Sequence, residues 1–125
     1  MRHPSVQEGT VPDISQYDDY RRFLADYYEE AKRENPGFSY QVLSERAGIT
    51  SKGHLHNVLK GRRRLDNHSL LGLIRAMKLG KAESEYFTTL VAYNHAKTLT
   101  ERNHYYEKLL SIRASGKNAW QPQLI

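Results

Sequence analysis

Two glycines, Gly48 and Gly61, punctuate the stretch that begins at Ser39, and the sequence between them allows only two short helices joined by a tight turn. Ser39 is suited to cap the first, which carries Val42, Leu43 and Ala47 on one face. Gly48-Ile49-Thr50 breaks that helix, with Gly48 supplying the positive φ that a sharp turn requires. Ser51 is a fresh N-cap, and Leu55, Val58 and Leu59 give a second helix an inward stripe over about residues 51–60. Gly61 is placed to end it in a left-handed conformation. Two such helices pack at a steep angle, which Leu43, Ala47, Ile49, Leu55 and Val58 are of the right size and polarity to fill.

The rest of the chain repeats the helical period. Ser15 with Asp18 reads as a capping box opening a helix that carries Tyr17, Tyr20, Phe23, Leu24, Tyr27, Tyr28 and Ala31. Asn35-Pro36-Gly37 ends it, since a residue before proline avoids the helical region. Asp66 caps a further helix with Leu70, Leu71, Ile74 and Met77 expected to face the core, closed by Gly80. Another starts near Lys81 with Tyr86, Phe87, Leu90 and Val91, and Thr98 with Glu101 opens a last one with Tyr105, Tyr106, Leu109, Leu110 and Ile112. No segment has the two-residue alternation of a strand. The expected fold is an all-α bundle of five to six helices. It comprises a loose arm over 1–14, one domain over 15–114 and a tail over 115–125 that follows Ser115-Gly116 and contains Pro122.

Composition excludes several classes. Apolar residues at 38% and charged residues at 26% describe an ordinary globular chain. No apolar run reaches the ~18–20 residues that cross a bilayer, and no apolar stretch follows Met1-Arg2-His3-Pro4-Ser5 as in a secretory signal. Without cysteine there is no disulfide, thiol catalysis or cysteine-ligated zinc. A cytoplasmic, nucleoid-associated location is the expectation. The net charge of +5 is concentrated: from Arg46 to Arg64 there are six positive residues and no negative one, which leaves −1 for the remainder. A local cationic patch on a balanced chain is the footprint of a polyanion binder.

Patch and helix pair coincide, and their combination points to duplex DNA. In such a pair the first helix crosses the phosphate backbone while the second turns its outer face to the major groove. Once Leu55, Val58 and Leu59 are set inward, Lys52, Gly53, His54, His56, Asn57 and Lys60 remain outside, none of them acidic. Asn57 donates and accepts in one plane, which suits adenine, and Lys52 near the helix start suits guanine. His54 and His56, two residues apart, point to different sides, and His54 is the expected contact. The base-reading set is therefore Lys52, His54 and Asn57. Phosphates fall to Lys60, Arg62, Arg63 and Arg64 at the helix exit, to Ser51, and to the first turn of the preceding helix at Ser39, Tyr40 and Gln41.

The same residues resemble a known class. Phe38 to Leu79 is similar to the lambda-repressor-like (XRE-type) helix-turn-helix, with its amphipathic pair around Ala47-Gly48-Ile49-Thr50, a glycine at the recognition-helix exit and a buried fourth helix. A closer resemblance is to the N-terminal module of a bacterial family of longer, largely uncharacterised regulators. It is carried by Tyr17-Asp18-Asp19-Tyr20-Arg21-Arg22-Phe23-Leu24, Asn35-Pro36-Gly37-Phe38-Ser39-Tyr40, Leu59-Lys60-Gly61-Arg62-Arg63 and Glu85-Tyr86-Phe87-Thr88-Thr89-Leu90-Val91, continuing to Asn94-His95-Ala96-Lys97. It covers roughly residues 13–113. Two departures accompany it. Gly48 to Gly61 spans one residue more than the commonest repressor pattern, so recognition positions do not transfer by counting. The longer members also continue into a C-terminal domain beyond the matched region.

Other classes fit less well. There is no phosphate-binding glycine loop, nucleophile signature or carboxylate cluster with a base, so neither an enzyme nor a cofactor is expected. His54-x-His56 is a poor metal pair because its rings diverge. RNA readers stack bases on exposed aromatics, and the basic stretch has none between Tyr40 and Tyr86. A helical protein-interaction module is the competing class, and the C-terminal helices are the expected site of a homodimer, as in regulators that read two half-sites.

Overall fold

The computed structural model describes residues 12–51 and 53–120, with side chains as far as Ser115. Among them are six α-helices and no strand: α1 (Tyr20–Glu34), α2 (Tyr40–Ala47), α3 (His54–Leu59), α4 (Asn67–Met77), α5 (Lys81–His95) and α6 (Leu99–Trp120). The all-α expectation holds. Contacts divide the chain into two compact units: Arg21–Lys78 forms the body of one, and Ile14–Tyr20 with Leu79 onward forms the other. Lys52, most of the N-terminal arm (1–11) and the end of the tail (121–125) lie outside the described residues.

The unit built on Arg21–Lys78 holds α2, α3, α4 and α1 from Arg21 onward. Phe23, Leu24 and Tyr27 of α1 bury one stripe at helical spacing. Asn35 closes the helix, its Oδ1 accepting the Gly37 N–H at 3.0 Å and its carbonyl accepting the Phe38 N–H at 2.8 Å. The expected caps on α2 and α4 form: Ser39 Oγ accepts from Val42 N at 3.1 Å, and Asp66 Oδ1 from Ser69 N at 2.8 Å. Gly48 takes φ +73° after α2, and Gly61 takes φ +80° after α3.

Within α4 the buried large apolar residues are Leu70, Leu73 and Met77, whereas Leu71, expected inside, is 48% exposed. The core stripe runs i, i+3, i+7 from Leu70, which leaves position i+1 facing outward. Gly72 lies within this inward face, where α2 and α4 approach so closely that a β-carbon on it would sit 1.9 Å from the Ala47 carbonyl oxygen.

The second unit pairs α5 with α6 over Tyr86, Phe87, Leu90, Leu109 and Ile112. Ile14, expected in the loose arm, is buried here at the head of a 3₁₀ turn, Ile14–Gln16. Ser15 therefore does not open α1. The cap comes instead from α5, where Asn94 Oδ1 accepts the Tyr20 N–H at 2.8 Å and Asn94 Nδ2 donates to the Asp18 carbonyl at 2.9 Å. Tyr86 donates its hydroxyl proton to the Tyr17 carbonyl at 2.8 Å and accepts from Arg113 Nη2 at 2.7 Å. Thr98 Oγ1 caps α6 by accepting from Glu101 N at 3.1 Å, while Glu101 Oε1 accepts from Lys97 N at 3.0 Å. That helix passes Ser115 and Gly116, which were expected to end it, and runs to Trp120.

Candidate nucleic-acid interface

The residues expected to read DNA lie on α2, α3 and the segments around them. Six residues separate Ala47 from His54, so the connection is longer than the three to four residues of a minimal helical turn. Consequently α3 starts later than expected, at His54 rather than near Ser51. Its N-cap is Gly53 at φ +78°, and the Ser51 carbonyl accepts the His54 N–H at 3.1 Å in the turn before it. Ser51 itself is exposed.

The later start changes the register of the outer face. His54, expected to contact a base, is only 4% exposed. Its Nε2 lies 3.4 Å from Ser69 Oγ and 4.0 Å from the Asp66 carboxylate, so the imidazole ties α3 to the first turn of α4. Burial at 54, 55 and 58 defines the inward stripe, and His56 replaces His54 as the exposed imidazole. Asn57 stays partly exposed, as a base-reading role requires. Lys52, the remaining expected base contact, lies outside the described residues.

The helix exit is polar and open. Lys60 caps α3 with its N–H on the His56 carbonyl at 3.0 Å, and Arg62 N donates to the Asn57 carbonyl at 2.9 Å. Lys60, Arg62, Arg63 and Arg64 are all exposed, and buried Leu65 ends the run. Arg21 of α1 holds this exit from behind: its Nε donates to the Val58 carbonyl at 2.7 Å and its Nη2 to the Arg63 carbonyl at 3.2 Å. Nothing in the local sequence pattern marks Arg21, which acts from 42 residues away.

At the start of α2 the Ser39 hydroxyl oxygen is engaged as the cap acceptor. The N–H groups of Tyr40 and Gln41 belong to the first turn, which no helical carbonyl precedes. Gln41 is exposed, with its amide on Glu45 at 3.2 Å. Tyr40 stacks one ring face on Tyr28 at 4.0 Å and makes a T-shaped contact with His56 at 5.9 Å. Burial, then the neighbouring Tyr28 and Glu29, raise its hydroxyl pKa above the ordinary tyrosine value, which keeps it a neutral donor.

Between α2 and α3 lies an open cleft of about 700 Å³, with Ile49 and Leu55 among its walls and Tyr40, Ser44, Glu45 and His56 around it. Glu45 is the acid that sequence reasoning missed. It precedes the cationic run in sequence but projects from α2 beside the face α3 presents. On α3 itself and through Arg64 there is no carboxylate. Asp66 is the next acid, and its pKa is held below the ordinary carboxylate value chiefly by the Ser69 N–H it accepts as the α4 cap. No protein family, curated protein or solved structure matches the chain.

Proposed function

We propose that the chain is a sequence-specific duplex-DNA-binding regulator of the lambda-repressor-like kind, with α3 entering the major groove. The observation that carries this reading is the outer surface of α3 and its exit. His56 and Asn57 stand exposed or partly exposed on a carboxylate-free helix that leads directly into Lys60, Arg62, Arg63 and Arg64. Exposed planar amide and imidazole groups suit base edges, and exposed guanidinium groups suit phosphate oxygens. Relative to the sequence expectation, His56 takes the place of His54 in base reading, with Asn57 retained. The first turn of α2, through Tyr40 and Gln41, supplies backbone donors to one further phosphate. Glu45 beside the cleft acts against indiscriminate phosphate binding there, because a carboxylate repels the backbone at short range. Among the described residues no helix is long and apolar enough to cross a membrane.

Selection from a random duplex library, with random single-stranded RNA in parallel, tests the proposal. Enrichment of one duplex motif is expected, with a log–log salt slope of roughly −4 to −5 for four to six phosphate contacts. No enrichment at low salt, or affinity independent of salt, refutes it.

A further inference from the structure

The cleft between α2 and α3 is larger than contacts with a duplex require. At about 700 Å³ it falls within the range of about 300–1,000 Å³ typical of small-molecule sites. Gly48 and Gly53 form part of its wall as bare backbone, and a β-carbon on either would meet no atom within 4 Å. Buried Ile49 and Leu55 supply apolar lining, and Tyr40 stands at one side with its ring fixed by the stack on Tyr28. Charge gives the cleft a sign. Among its described lining residues Glu45 is the one side chain that is formally charged at neutral pH, and it is exposed. Its Oε2 accepts from the Gln41 amide at 3.2 Å, and it makes no ion pair with another described residue. Arg46, the next residue, sets its guanidinium over the Phe38 ring at 5.6 Å and is not part of the lining. Glu29 of α1 stands near enough to the Tyr40 hydroxyl to contribute, after burial and Tyr28, to its raised pKa, so the Tyr40 side carries a second negative charge.

We infer that this cleft is a binding site for a small organic cation, a primary amine carried on a compact apolar or aromatic body. The ammonium pairs with Glu45, and the body lies against the apolar lining. Neither half suffices alone. An exposed ion pair contributes little, because water competes for both charges. Removal of the apolar body from water supplies the larger share, and the carboxylate selects among bodies of one shape by the charge they carry. An anion of the same shape meets Glu45 at short range and is repelled. The cleft shares His56 with the base-reading surface, and Tyr40 and Gln41 with the phosphate-binding first turn of α2. A filled cleft therefore competes with duplex; that consequence rests on the proposed function, whereas occupancy itself does not.

Occupancy is measured on the full chain without DNA. 2-Phenylethylamine titrated into isotope-labelled protein should shift the backbone amide resonances of Ser44, Ile49 and His56 saturably, with Kd of about 1 mM for so small a ligand. 2-Phenylethanol, the same body without the charge, should bind about fivefold more weakly, and 3-phenylpropionate more weakly still. Glu45→Gln should weaken the amine about fivefold and leave the alcohol unchanged, so the preference for positive charge disappears while the thermal melt stays that of the parent. Absence of saturable shifts up to about 20 mM amine overturns the inference. So do shifts confined to residues away from the cleft, equal binding of amine and alcohol, or a Glu45→Gln protein that still prefers the amine. Added to a complex with the selected duplex, the amine should displace DNA from the parent at concentrations near its Kd, and from Glu45→Gln only at higher ones. An amine that fills the cleft without displacing duplex upholds the ligand site and counts against α3 as the DNA-reading surface.

Discussion

Replacing Gly72 by alanine is the sharpest test of how the helix pair is held. The added β-carbon would lie 1.9 Å from the Ala47 carbonyl oxygen, 2.9 Å from its carbonyl carbon and 3.3 Å from its Cα. All three atoms are backbone, so no side-chain rotation relieves the overlap. Restoring an ordinary contact of about 3.4 Å means separating α2 and α4 locally by roughly 1.5 Å. That loosens Leu43 and Ala47 against Leu70 and Leu73, all buried. Overpacking a close-packed core costs about 3 kcal/mol at the upper end, and a backbone clash belongs there. Alanine in a helix recovers about 1 kcal/mol over glycine. The net is a loss of roughly 2 kcal/mol, or about 10 °C in Tm for a unit of this size. Urea and thermal unfolding of the full chain, monitored by circular dichroism, measure it. A Gly72→Ala protein as stable as the parent, or more so, would show that helix propensity governs position 72 and that the close approach is not required.

Other substitutions separate scaffold from interface. His54→Ala should cost about 2 kcal/mol of stability by leaving Ser69 without its imidazole neighbour and opening a small void, which a urea titration reads, while base preference in the folded protein stays the same. His56→Ala and Asn57→Ala should leave unfolding unchanged and each relax preference at one base position by roughly 1–3 kcal/mol, measured by competition among single-base operator variants. Arg63→Ala should instead weaken every duplex alike and reduce the salt slope by about 1. Because the folded Asp66 pKa lies below the unfolded value of about 3.9, its contribution to stability is present above that pH and is lost as pH falls through the folded pKa. Asp66→Ala should accordingly cost about 1 kcal/mol at pH 7 and make unfolding less steep in acid, and an identical acid limb in both proteins would contradict this.

Features decided within one turn of helix were legible in the sequence. Ser39 and Asp66 cap where expected, and Gly48 and Gly61 take the left-handed conformations their positions imply, because each of these involves residues no more than four apart. Features decided by distant partners were not. The α1 cap comes from Asn94, 74 residues from Tyr20, so Ser15 was a reasonable but mistaken candidate. The Leu71 error came from counting adjacent leucines as one face. Gly72, small and lying between the buried Leu70 and Leu73, was the available sign of a helix pressed against a neighbour. His54 was misplaced for a subtler reason: Gly53 in the left-handed region delays the helix, and His54 turns inward while His56 stays outside. Apolar spacing at Leu55 and Val58 was right, but spacing alone does not say which adjoining polar residue lies on the buried side.

Arg21 gives the basic exit a thermodynamic character. A run of glycine and arginines leaving a short helix would ordinarily sample many conformations, and gripping phosphates would require freezing them at about 1–2 kcal/mol per residue. With its guanidinium on the Val58 and Arg63 carbonyls, Arg21 confines part of that backbone before any ligand arrives. The entropy is surrendered during folding instead of during binding, so affinity at Lys60 to Arg64 depends on a residue that need never touch the ligand. Arg21→Ala should then slow nothing in the approach, which long-range charge governs, and shorten the lifetime of the complex once formed.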